Sequence, residues 1–152
     1  MNQLSLKMGM KTWKDKGSSA AKAEMKQLHM RDTFIPKHYL DLDVVQRKSI
    51  LESHMFLKEK ENWDIKGRTV AGGKKQRDFI SKEYSSSPTV STEAVLLSCI
   101  IDAEEERDVT AINIPNAFIQ TRVENEKDMV CIRVRGVLVD LLIEIAPDVY
   151  GP

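Results

Sequence analysis

The chain has 152 residues, 41% hydrophobic and 30% charged, and its 23 Lys plus Arg balance 23 Asp plus Glu for a formal net charge of +0. That is the size and composition of a globular domain with one core, and a neutral total gives no whole-molecule attraction to polyanions, so any nucleic-acid binding must come from a local basic face. No run of 18 consecutive apolar residues occurs and Met1 to Met8 lacks the apolar stretch of a signal peptide, so no membrane span is expected.

Residues 1–17 are basic and unpatterned, with Lys7, Lys11, Lys14 and Lys16, and read as a loose lead-in to a domain over 18–152. Ser18 or Ser19 can cap a helix over 18–30, with Ala21, Met25 and Leu28 on one face. Pro36 ends that region, because it disfavours helical angles at Ile35. Asp41 or Asp43 opens a second predicted helix over 43–57, striped by Val44, Leu51 and Met55, with Lys48 and Glu52 as an i, i+4 pair. A charged connector over 58–62 leads to a strand over 65–71, on which Lys66 and Arg68 share a face. Gly72 and Gly73, followed by Lys74, Lys75 and Arg77, make a basic loop suited to phosphate backbone.

Ser91 caps the most hydrophobic helix, predicted over 91–106 and apolar nearly all round, so burial on most sides is expected. Glu93 is well placed in its first turn, and the acidic residues from Asp102 to Glu106 radiate around a helix end rather than converge on a metal. Residues 108–114 read as a central strand stopped by Pro115, and 129–135 as a second strand paired with it antiparallel. Gly136 precedes Val137–Ile145, a short helix with Leu138, Leu141 and Leu142 on one face or, alternatively, a strand. His29, His38 and His54 have no metal-ligand spacing and read as surface or rim residues. Cys99 and Cys131 lack CxxC spacing and sit in apolar contexts, which suggests buried thiols in a reducing, intracellular compartment, with nothing to separate cytoplasm from nucleus.

Four blocks occur in an order that carries a resemblance. Ile65-Lys66-Gly67-Arg68-Thr69-Val70-Ala71-Gly72-Gly73 resembles the Lys-Ala-Arg-Leu-Val-Ala-Lys-Gly strand of reverse transcriptases from copia-type LTR retrotransposons. Ser87-Pro88-Thr89-Val90-Ser91 resembles the Ala-Pro-Val-Ala that opens the family's next helix, and Ile112-Asn113-Ile114-Pro115-Asn116-Ala117-Phe118-Ile119 its first catalytic motif, Asp-Val-Lys-Thr-Ala-Phe-Leu. Val123 to Arg133 looks like the acidic hairpin and strand that follow. The resemblance covers about residues 65–133 and implies an α+β fold, the fingers and start of the palm of an RNA-directed DNA polymerase, with a small antiparallel sheet.

It also implies roles. Lys66 and Arg68 would face the phosphates of an incoming nucleotide, Ala117 and Phe118 would lie at its sugar, and Lys74, Lys75 and Arg77 would touch primer–template. The family holds Mg²⁺ with an aspartate of the first motif and two more from a Tyr-x-Asp-Asp hairpin. Here the first position is Asn113, and the 152 residues contain no Tyr-x-Asp-Asp. An amide oxygen is neutral, whereas transfer assisted by two divalent ions relies on anionic oxygen ligands. The expectation is therefore a truncated, catalytically inactive polymerase fragment with no metal site of its own. Its partners would be RNA or DNA held weakly, or a second copy through an uncovered palm surface. The alternatives are a small nucleic-acid- or partner-binding module using the basic Lys66–Arg77 region, and an unrelated α+β domain.

Overall fold

The computed structural model describes residues 3–74, 89–114, 117–125 and 129–151. Its centre is a small, mainly antiparallel sheet built on β2 (Leu51–Glu59). On one side β2 pairs antiparallel with β3 (Ile65–Ala71), from Ser53 opposite Ala71 to Glu59 opposite Ile65. On its other edge it pairs antiparallel with β1 (Gln3–Ser5), through Leu4 opposite Leu57, and parallel with the two-residue β4 (Ile132–Arg133), through Leu51 opposite Ile132. Side chains alternate across a pleated strand, so Met55 and Leu57 turn inward with Thr69 and Gly67. Phe56 and Lys58 turn outward with Arg68 and Lys66.

The helix predicted over 43–57 is corrected here. Asp43 does cap a helix, accepting from the Gln46 amide at 2.7 Å while the Gln46 side chain accepts from the Asp43 amide at 3.1 Å, but this α2 runs only Val44–Ser49. Leu51 and Met55, four apart, satisfy helical and strand periods alike; the deciding pair is Met55 and Leu57, two apart and both buried. Glu52, freed from a helical partner at Lys48, instead pairs with Arg133 (3.5 Å) and Arg135 (3.3 Å).

Helix α1 (Leu6–Met30) covers the inner face, in two segments joined by a sharp turn at Lys14 (φ 45°, ψ −119°). The lead-in expected to be loose is thus ordered from Gln3: β1 extends the sheet, and Leu6, Met10 and Trp13 pack against the core. Glycines allow the two segments to approach, since a Cβ on Gly17 would lie 2.9 Å from the Gly9 carbonyl oxygen. The core joins Ala21, Met25 and Leu28 of α1, Met55 and Leu57 of β2, and Leu138, Leu141 and Leu142 of a C-terminal helix. The face foreseen on residues 18–30 is therefore the one that packs.

That C-terminal helix (Val137–Ile145) and the short turn of helix after it (Pro147–Tyr150) lie against α1. A Lys22–Glu144 ion pair and a 3.1 Å contact between His29 Nδ1 and the Tyr150 hydroxyl tie them down. Helix, not strand, is the outcome for Val137–Ile145, because three leucines at helical spacing meet one apolar surface.

Helix α3 (Thr92–Glu104) forms where expected, with the Ser91 hydroxyl accepting from the Ala94 amide at 3.2 Å. Its burial does not follow. Leu96, Leu97 and Ile100 are 59–62% exposed, and Cys99 on the same helix is exposed while Cys131 is half-buried. The strands expected over 108–114 and 129–135 are corrected too: 108–114 has no ladder among the described residues, and only Ile132–Arg133 pairs, with β2 and in parallel. Helical propensity and a cap are local and suffice for α3, whereas a strand exists only where another backbone meets it. A four-residue helix, α4 (Ala117–Gln120), follows, held to the body by Ile119. In chain order the helices after it are α5 (Val137–Ile145) and α6 (Pro147–Tyr150). No helix among the described residues is long and apolar enough to cross a membrane.

Candidate nucleic-acid interface

Lys66 and Arg68 stand on the outward face of β3, both exposed, opposite Lys58 and Phe56 of β2. Gln3 and Ser5 of β1 extend that face beyond Lys58 and Phe56. Lys58, Lys60, Glu61, Asn62, Lys66 and Arg68 line a shallow, open groove of about 520 Å³. Four cations share it with one carboxylate, and none of the four makes an ion pair among the described residues. Like charges directly opposite on neighbouring strands, as Lys58 and Lys66 are, disfavour the pairing unless an anion lies between them.

The inner side of the same strand explains why the charges stay outward. A Cβ on Gly67 would sit 2.9 Å from Glu24 Cβ and 3.0 Å from the Ala20 carbonyl oxygen, so only glycine lets β3 rest this closely on α1. The Thr69 amide donates to Glu24 Oε1 at 3.0 Å. Glu24 is therefore engaged by backbone beneath the sheet, and the pleat separates it from Lys66 and Arg68 above. At its far end the ladder is closed by the Gly72 amide donating to the Glu52 carbonyl at 2.8 Å, and exposed Lys74 follows. Lys75 and Arg77 lie outside the described residues.

The residues of the first-motif block are elsewhere. Asn113 is exposed on the unladdered segment, beside Ile112 and Ile114 at 81% and 60% exposure. Ala117 is exposed at the start of α4; Phe118 belongs to that helix, with its side chain outside the described residues. Neither Asn113 nor Ala117 lines the basic groove. Asn113 offers a neutral amide oxygen, a poorer ligand for Mg²⁺ than a carboxylate, and among the described residues no three His, Cys, Asp or Glu side chains come together. Sequence reasoning missed Lys58 as part of the face and Gly67 as the residue that seats its strand on α1. The signal for Lys58 was the alternation Met55-Phe56-Leu57-Lys58, which reads as a strand once the helical stripe is set aside.

No family model, curated protein or solved structure matches the chain.

Proposed function

We propose that the chain is a copia-type reverse-transcriptase-like fingers and start-of-palm unit, inactive as a polymerase, whose remaining capacity is weak, sequence-independent binding of polynucleotide phosphates. The observation that carries the binding half is the cross-strand cluster of Lys58, Lys66 and Arg68, without ion-pair partners among the described residues, at an open groove. Such a surface exchanges condensed counterions for lysine and arginine contacts, and its affinity falls steeply with salt. The family half rests on the four ordered sequence blocks, and the basic strand among them lies on the exposed side of a helix-backed hairpin. Asn113 supports inactivity, because contacts to a substrate without stabilisation of charge in the transition state do not accelerate transfer. The uncovered apolar surface of α3 supports self-association as the companion proposal.

Fluorescence anisotropy with a labelled single-stranded oligonucleotide across a KCl series tests the binding. Lys66→Ala with Arg68→Ala is expected to weaken affinity and flatten the log–log salt slope by roughly 0.7 for each phosphate no longer neutralised. An unchanged slope with unchanged affinity removes this face from consideration.

A further inference from the structure

The hairpin that carries the basic groove turns through Glu61, Asn62 and Trp63. The Lys60 amide donates to the Asp64 carbonyl at 2.9 Å and the Trp63 amide to the Lys60 carbonyl at 3.1 Å, closing a three-residue turn. Its last residue has φ 63°, the left-handed conformation for which such turns normally use glycine. A tryptophan there is unfavourable twice over. Its side chain opposes the backbone conformation, and the residue is 73% exposed. Trp13, by contrast, is half-buried against the core. The turn is also pinned, with the Asn62 amide donating to Asp64 Oδ2 at 2.6 Å and the Asp64 backbone amide to Asn62 Oδ1 at 3.3 Å. Trp63 is thus presented to solvent by a fixed turn, next in the chain to Lys60, Glu61 and Asn62, which line the groove.

We infer that Trp63 is a stacking platform for an unpaired nucleobase, and that the hairpin is selective for single-stranded over duplex polynucleotide. This rests on the proposed phosphate binding and adds the base and the strandedness to it. Exposed aromatics beside basic grooves are how sequence-tolerant single-strand binders hold bases, since every base has a π face and only an unpaired one is free to offer it. Cations two apart on β3 stand about 6.8 Å from one another along an extended strand, comparable with one nucleotide of an extended chain. Phosphates on Lys66 and Arg68 with a base carried to the tip is the arrangement this permits. In a duplex the bases stack on each other and leave no face for the ring. A membrane surface would also accept a lone exposed tryptophan, but it would bring anionic headgroups against Glu61 and Asp64 at the tip, where the single-strand arrangement brings only an uncharged base and leaves the phosphates on Lys66 and Arg68.

The test compares wild type, Trp63→Gly and Trp63→Phe in the full chain. Each is titrated with an oligodeoxythymidylate of about 12 nucleotides, the matching duplex, inorganic polyphosphate and vesicles containing phosphatidylserine. Trp63→Gly suits the left-handed position, so its thermal midpoint should match or exceed wild type, which separates binding from folding. Removing one stacked base should weaken single-strand binding roughly ten-fold, leave polyphosphate binding and the salt slope unchanged, and be largely reversed in Trp63→Phe. Single strand should quench tryptophan emission in wild type and do so much less in Trp63→Gly. If Trp63→Gly binds single strand as wild type does, or wild type binds duplex equally well, the stacking role is wrong while phosphate binding stands. If wild type binds neither oligonucleotide nor polyphosphate at low salt, both fall. An emission shift with vesicles alone would overturn the inference in favour of a membrane surface.

Discussion

Gly67→Ala is expected to lift β3 from α1. Ordinary van der Waals contact begins near 3.4 Å, yet the added Cβ would meet Glu24 Cβ at 2.9 Å and the Ala20 carbonyl oxygen at 3.0 Å. Neither neighbour is the free end of a flexible side chain, so strand or helix must shift by several tenths of an ångström. The Thr69–Glu24 hydrogen bond, 3.0 Å in the native chain, lies two residues away and shifts with it. Overpacking of this kind costs about 1–3 kcal/mol. Replacing glycine restricts the unfolded chain and returns about 0.4–1 kcal/mol. At the middle of both ranges the net is a loss of about 1.3 kcal/mol, which for a domain of this size lowers the thermal midpoint by about 3–5 °C. Thermal and urea unfolding followed by circular dichroism, with amide exchange at Thr69, measure it. A midpoint equal to or above wild type would refute the close seating of β3 on α1 and, with it, the reason for the outward set of Lys66 and Arg68.

Asn113→Asp is expected to give no primer extension with Mg²⁺ or Mn²⁺, since it restores one carboxylate on a segment without a ladder; metal-dependent extension by either form, free of contaminating polymerase, would sink the inactive reading. Leu97→Glu with Ile100→Lys, at positions 59% and 62% exposed, should shift sedimentation toward monomer without lowering the thermal midpoint; unaltered sedimentation of an associating wild type would acquit α3. The Glu93 carboxyl is held below its ordinary 4.5 by its own backbone amide and the Ser91 hydroxyl, so the N-terminal turn of α3 gains from the ionised form above that pH. That gain is lost as pH falls below 4.5 toward the folded value, and Glu93→Gln should remove this part of the acid dependence of amide exchange in the first turn. The Tyr150 phenol is held above 10.0 by partial burial and by the Asp32 carboxylate, so it favours the folded state below pH 10 and that contribution fades as pH rises past 10. Tyr150→Phe should blunt the alkaline loss of stability; the same loss in both proteins would mean that the Tyr150 phenol is neither buried against the body nor close to Asp32.

The elements legible in the sequence are those whose causes are local. Ala21, Met25 and Leu28 mark the packed face of α1, Ser91 caps α3, and Lys66 and Arg68 share an outward face of β3. In each, period or cap chemistry within one or two turns suffices. Where two periods fitted the same residues, only tertiary contact decided. Leu51 and Met55 suited a helix, yet β2 is the strand on which β1, β3 and β4 converge, and backbone pairing on both edges outweighs weak helical propensity. The lead-in gave no period of its own and became ordered because β1 had an edge of β2 to join and Gly9 and Gly17 let two helical segments meet. The block around Asn113 looked like the centre of the sheet by its two alternating faces, but alternation cannot supply a partner strand, and among the described residues 108–114 has none. The candidate site divides the same way: residue identity fixed Lys66, Arg68 and the neutral amide of Asn113. Only the register of β2 against β3 brought Lys58 opposite Lys66, and only a left-handed turn raised Trp63 at their tip.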